Sequence, residues 1–133
     1  MSTATADDLS GIPLFEELGP DEREVLASWF ELEDISPGVR LTGEGASGYS
    51  FFVLRAGAVT VSIDGVEVRK LGPGDFFGEL ALLGDGRRTA TVTTDSPSQV
   101  LVLFGTEFRQ LQQEHPEIAA RIESGLREIA QPA

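Results

Sequence analysis

Between Val59 and Leu71 the chain reads VTVSIDGVEVRKL, and no other stretch constrains the fold as strongly. Val59, Val61 and Ile63 alternate with polar residues, the period-two pattern of an extended strand with one apolar face. Asp64-Gly65 then separates that run from Val66 and Val68. Asp-Gly between alternating runs selects the tight turn whose central residues take positive φ, and the twist of that turn matches paired strands. An antiparallel hairpin is expected here, with Leu71 closing its second strand.

The same period governs the middle of the chain. Val39 and Leu41 alternate after the turn Ser36-Pro37-Gly38, and Phe51 to Leu54 is a short, nearly continuous apolar run. Gly57 interrupts that run as a bulge or a close backbone approach would. Gly72-Pro73-Gly74-Asp75 reads as a turn, and Thr91–Thr94 and Gln99–Phe104 read as strands on either side of Asp95-Ser96-Pro97. The ends are helical. Ile12, Leu14, Phe15 and Leu18 suggest a docked turn. Gly19-Pro20 opens a helix with Asp21, Glu22 and Glu24 at its positive end, and Val25, Leu26, Trp29 and Phe30 form its stripe. From Thr106 to Ala130, Phe108 and Leu111 mark one stripe and Ile118, Ile122, Leu126 and Ile129 another, broken at His115-Pro116. With 133 residues and 41% hydrophobic content there is enough for one core. The expected fold is mainly β with flanking helices: an antiparallel β-barrel or jelly roll (double-stranded β-helix) with N- and C-terminal helices. Residues 1–10, small and polar, are expected to be disordered, and 11–133 to form the single domain.

Charge narrows the functions available. There are 22 acidic and 10 basic residues, a net charge of −12. Residues 1–34 hold ten of those acids and one base, Arg23. Such a surface repels nucleic acid and anionic membranes, whose binding relies on Lys and Arg. No apolar run is long enough to span a bilayer, and the first residues lack the pattern of a secretory leader. A cytoplasmic setting is expected. With no cysteine and a single histidine, His115, neither a thiolate metal site nor a barrel metalloenzyme is expected. No nucleophile elbow, phosphate-loop lysine or histidine-bearing triad occurs, so no catalytic residue is expected.

The segment Phe76–Val92, FFGELALLGDGRRTATV, has a different character. Gly78 turns the chain out of an apolar run, and the segment after it reads as a helix start, whose unpaired N–H groups suit an anion. Leu80 and Ala81 would present those amides, and Ala81 is small enough to let a phosphate come close. Glu79 is an acceptor for a sugar hydroxyl, Arg88 a planar fork for phosphate oxygens, and Thr89 adds a hydroxyl. Read on physical chemistry alone, the same residues also suit a plain helix start and a solvated Arg87-Arg88 pair.

The ordered run Phe77-Gly78-Glu79-Leu80-Ala81-Leu82-Leu83, followed by Arg88-Thr89-Ala90-Thr91-Val92, resembles the phosphate-binding cassette of cyclic nucleotide-binding domains. The resemblance extends from about Ile12 to Arg127 and includes Glu44-Gly45, Gly48, Gly57 and Leu71–Glu79. It implies a β-roll that binds cAMP or cGMP as its ligand, with no cofactor. Phe77, Gly78, Glu79, Leu80, Ala81, Arg88, Thr89 and Ala90 would contact the nucleotide, Glu79 at the ribose 2′-hydroxyl and Arg88 at the cyclic phosphate. Val61 and Leu71 would line the purine, with Arg69 over its face. Tyr49 replaces an acidic residue common in the family, and Ile129 stands where many members carry a polar cap over the base. The function implied is a stand-alone sensor that signals to an effector protein by movement of its terminal helices. A non-binding module on the same fold is the alternative, which loss of Glu79 or Arg88 would favour; both are present.

Overall fold

A computed structural model of the chain describes residues 2–42, 50–78, 82 and 90–129. Its strands are β1 (Ser2–Thr3), β2 (Glu31–Ile35), β3 (Arg40–Thr42), β4 (Ser50–Ala56), β5 (Val59–Ile63), β6 (Val66–Leu71), β7 (Phe76–Phe77), β8 (Thr91–Thr94) and β9 (Ser98–Phe104). The helices are α1 (Pro20–Ala27), α2 (Gly105–Glu114) and α3 (Pro116–Ile129), and two short 3₁₀ turns cover Ala6–Leu9 and Pro13–Phe15. The strands form two antiparallel sheets, β1-β2-β9-β4-β7 and β3-β8-β5-β6. This is the expected roll with helical ends.

Why β4 and β9 read as continuous apolar runs is now plain. The five-stranded sheet has a core on each face. Phe51, Val53, Leu101 and Leu103 point to a cluster shared with the helices and with Leu14, Phe15, Phe30, Phe108 and Ile122. Their neighbours Phe52, Leu54, Val100 and Val102 point to the interior of the roll, with Val59, Val61, Leu71, Phe77, Ala90 and Val92. Alternation therefore assigns each residue to one of two dry compartments rather than to core or solvent. The hairpin forms as expected: Asp64 (φ 52°) and Gly65 (φ 76°) join β5 to β6.

Gly57 follows β4 with φ +97°. A Cβ there would lie 2.2 Å from Ser98 Oγ and 2.7 Å from both Pro97 O and Ser98 Cα. The close approach read from the sequence is real, and it brings the β4–β5 connection against the start of β9. The turn before β3 is held by Thr94, which is buried. Its hydroxyl donates to Ser36 O (2.7 Å) and accepts from Val39 N (2.9 Å), so the buried oxygen is satisfied.

Two expectations need correction. Residues 2–9, expected to be disordered, fold back on the domain. Ser2 and Thr3 pair with Leu32 and Glu31, and Ala4 and Leu9 are buried in the helical core. Asp8 Oδ2 accepts from the Thr5 backbone N–H (2.8 Å) and hydroxyl (3.1 Å), which caps the first 3₁₀ turn. A polar chain crosses the sheet beneath it: Arg55 Nε lies 3.3 Å from Asp8 Oδ1, Arg55 Nη1 donates to Gln99 Oε1 (2.6 Å), and Gln99 Nε2 donates to Asp34 Oδ1 (3.0 Å). Replacing Leu9 with Ala is expected to cost about 2–4 kcal/mol of unfolding free energy, measured by urea denaturation. A change near zero would return this segment to solvent.

The strand β2 lies where the sequence reading assigns no element. The acidic stretch Glu31-Leu32-Glu33-Asp34-Ile35 is a strand pairing with β9 from Glu31↔Val102 to Ile35↔Ser98. Its acids are poor strand formers by propensity, and pairing against β9 overrides them. The second correction is α1, which ends at Ala27. Trp29 and Phe30 lie beyond it in a turn, where Phe30 is fully buried and Trp29 half-buried.

Candidate ligand-binding site

The segment read as a binding cassette leaves one sheet and enters the other. β7 is the outer strand of the five-stranded sheet, with Phe52↔Phe77 and Val53↔Phe76 as its pairs on β4. The turn before it is tied to β4 by two backbone bonds, Gly74 N to Leu54 O (2.7 Å) and Leu54 N to Asp75 O (2.8 Å). Asp75 also accepts from Gly72 N (2.9 Å). Phe77 enters the roll and stacks on Phe52, with ring centroids 4.9 Å apart and planes 14° apart. Phe76 turns the other way, 5.8 Å from the Phe51 ring in the helical core. Gly78 then takes φ +79°, a left-handed conformation that glycine adopts without a Cβ penalty, and the chain departs from the sheet.

It returns at Ala90, buried inside the roll and leading into β8 of the other sheet. Between these anchors Leu82 is described, packed against the helical core. Glu79, Leu80, Ala81, Arg88 and Thr89 lie outside the described residues, as do Gly45, Gly48 and Tyr49. Of the expected ligand-contacting set, Phe77, Gly78 and Ala90 are placed. Phe77 and Ala90 belong to one buried cluster with Val61 and Leu71, the expected purine wall.

Arg69 completes that wall in a way the surrounding apolar residues do not. It sits opposite Val61 on β6, and directly opposed residues in a ladder share a face. Leu71, opposite Val59, flanks it on the same side. Arg69 Nε is buried and has no hydrogen-bond partner among the described residues. An orphaned buried N–H costs free energy unless something accepts from it, on the order of 1–3 kcal/mol. The roll therefore holds an apolar wall with a buried donor beside it, on the strand position opposite Val61.

The expected set omits Phe52, whose ring carries Phe77. Period-two counting through β4 would have found it, because Phe52 and Leu54 share the face opposite Phe51 and Val53. Ile118, Ala119, Ile122 and Leu126 of α3 belong to the helical core, and among the described residues α3 adds nothing to this wall. Arg121 ties α3 to α1 through Glu22 (2.5 Å).

Phe77, on one sheet, and Ala90, leading into the other, thus share one apolar interior with Val61 and Leu71, and Arg69 stands opposite Val61 beside it. Residues 32–115 match the family model for the cyclic nucleotide-binding domain, and the chain belongs to that family. Among its relatives, a cAMP-dependent protein kinase regulatory subunit from Colletotrichum orbiculare is 37% identical over 107 residues, covering 79% of this chain and 27% of the relative. A cGMP-dependent protein kinase from Eimeria tenella is 36% identical over 100 residues, covering 75% of this chain and 10% of the relative. The chain thus spans between a tenth and about a quarter of these two proteins. Among solved structures, cAMP-bound PfPKA-R (141–441) superposes with a TM-score of 0.74 at 29% identity, covering 96% of this chain and 47% of that one.

Proposed function

We propose that this chain binds a cyclic nucleotide, cAMP or cGMP, inside the roll and acts as a sensor module without catalysis of its own. The observation that carries the reading is the buried, unpartnered Arg69 Nε beside Val61 and Leu71, a wall fitted to a flat apolar base with acceptors on its edge. In this reading Glu79 accepts from the ribose 2′-hydroxyl, and Arg88 and Thr89 hold the cyclic phosphate. Gly78, Leu80 and Ala81 supply backbone contacts, with Phe77 and Ala90 fixing the two ends of the segment. The module works in the cytoplasm on an effector protein, through movement of its terminal helices on binding. Such movement requires the nucleotide to bind one helix arrangement more tightly than the other. Calorimetric titration with cAMP and with cGMP tests the reading. Saturable heat for either supports it, and no heat for both up to millimolar nucleotide overturns it.

Arg69 also bears on which base is preferred. A guanidinium fork matches the two acceptors O6 and N7 of guanine, whereas adenine presents a donor at N6. Arg69→Met, which keeps an apolar stem, is expected to weaken cGMP more than cAMP by about 1–3 kcal/mol, the usual worth of one such bidentate pair. Equal losses for the two nucleotides would remove Arg69 from base reading while leaving nucleotide binding itself intact.

A further inference from the structure

The strand that carries Arg69 is also the last strand of its sheet. Among the described residues no strand lies beyond β6, and two of its apolar side chains are left in water: Val66 is 63% exposed and Val68 49%. Edge strands in natural proteins are commonly blunted by charge, and β6 has charges in Glu67, Arg69 and Lys70. Here their spacing does not blunt the edge against every partner. The ladder to β5 shifts register between Val61↔Arg69 and Ser62↔Glu67, so Val68 is an extra, bulged residue. The bulge changes parity along the strand. Glu67 and Lys70, three apart and on opposite faces of a regular strand, share one face here. Their charged groups are 3.5 Å apart, and Lys70 Nζ also donates to Thr60 Oγ1 (3.2 Å) on that face. Asp95 and then Glu67 raise the Lys70 ammonium above its ordinary pKa, which keeps it charged at neutral pH.

We propose that the outer edge of β6 pairs with the same strand of a second copy, antiparallel about a two-fold axis between residues 68 and 69. In that register Val66 meets the second copy's Leu71, Val68 its Arg69 and Glu67 its Lys70. Val66 and Leu71 share one face and Glu67 and Lys70 the other, as a ladder demands, and the bulge is what makes this so. The two Glu67 and two Lys70 side chains close a ring of alternating charge on one face. Val66 of each copy meets Leu71 of the other on the opposite face, and two-fold pairing buries the same patch of both copies. The rest of the molecule argues for the same place. A net charge of −12 repels a second copy over most of the surface, whereas Asp64, Glu67, Arg69 and Lys70 leave the hairpin neutral. The second copy's Val68 would then stand beside Arg69, adding an apolar contact at the mouth of the roll.

The test is sedimentation equilibrium on the full chain over a wide concentration range, with two single charge reversals. The wild-type chain is expected to reach twice its monomer mass. Glu67→Lys opposes lysine to lysine and Lys70→Glu opposes glutamate to glutamate, so each variant alone is expected to be monomeric while remaining folded by circular dichroism. An equimolar mixture of the two is expected to form the heterodimer, because every opposed pair is then complementary. A wild-type chain that stays monomeric at millimolar concentration overturns the proposal and leaves the edge to a different strand. Single variants that still dimerise, or a mixture that does not restore the dimer, overturn it too.

Discussion

Gly57→Ala is expected to lower the unfolding free energy by about 3 kcal/mol or more, a large part of what a domain of this size possesses. Two costs combine. A non-glycine residue held at positive φ outside the usual left-handed well costs about 1–3 kcal/mol, and overpacking a closed contact adds about 1–3 kcal/mol. The contact cannot yield cheaply, because two of the three atoms met by the new Cβ are Pro97 O and Ser98 Cα of the backbone, each 2.7 Å away. The comparison is Gly72→Ala, where the added Cβ meets nothing within 4 Å and no positive φ is involved. That change should stay within about 0.5 kcal/mol, as surface substitutions usually do. Urea denaturation of the two variants beside the wild type checks both. Equal, small effects would show that the turn at residues 96–98 moves freely away from β4.

Arg88→Ala is expected to raise the dissociation constant for the cyclic nucleotide roughly 10- to 150-fold. The figure converts about 1.5–3 kcal/mol for charge-assisted hydrogen bonds to phosphate. Arg87→Ala, which removes the same charge one residue away at a position with no assigned contact, should change affinity less than about twofold, since a charge without a hydrogen bond to the phosphate is screened. Calorimetry on the two variants separates a positioned guanidinium from a general positive field. Equal losses would assign the effect to the field, and wild-type affinity in Arg88→Ala would show that the phosphate is held elsewhere.

The sequence made some features legible because a local rule and the global fold agree there. Asp64-Gly65 had one economical conformation, and the flanking valines left no doubt about period. The stripes of α2 and α3 were equally clear, since Phe108, Leu111, Ile118, Ile122 and Leu126 are all buried where their spacing placed them. At β2 the two levels conflict: Glu31, Glu33 and Asp34 disfavour a strand, and only the distant partner β9 makes one. The N-terminal segment was misread by composition although a signal was present. Thr5-Ala6-Asp7-Asp8 has the spacing of a capping box, and Leu9 just after it is the residue that the cap delivers to the core. Of the residues expected at the site, Phe77, Gly78 and Ala90 stand at the two ends of the segment that runs from β7 to β8. What no sequence pattern revealed is the bulge at Val68, which decides the faces on which Val66, Glu67 and Lys70 sit.

The pairing of β2 with β9 has a consequence for the order in which the molecule is made. Glu31 is matched to Val102, so the middle of the five-stranded sheet joins residues roughly 70 positions apart. Closing so long a loop costs entropy before the contact returns anything, which slows folding. During synthesis β2 and the N-terminal segment that pairs with it have no sheet to join until β9 has emerged. Until then Leu9, Phe15 and Phe30 lack the strand and helix faces that bury them. In a nascent chain stopped at Asp95, residues 2–35 should therefore be digested by protease, and in one extended through Glu114 they should resist.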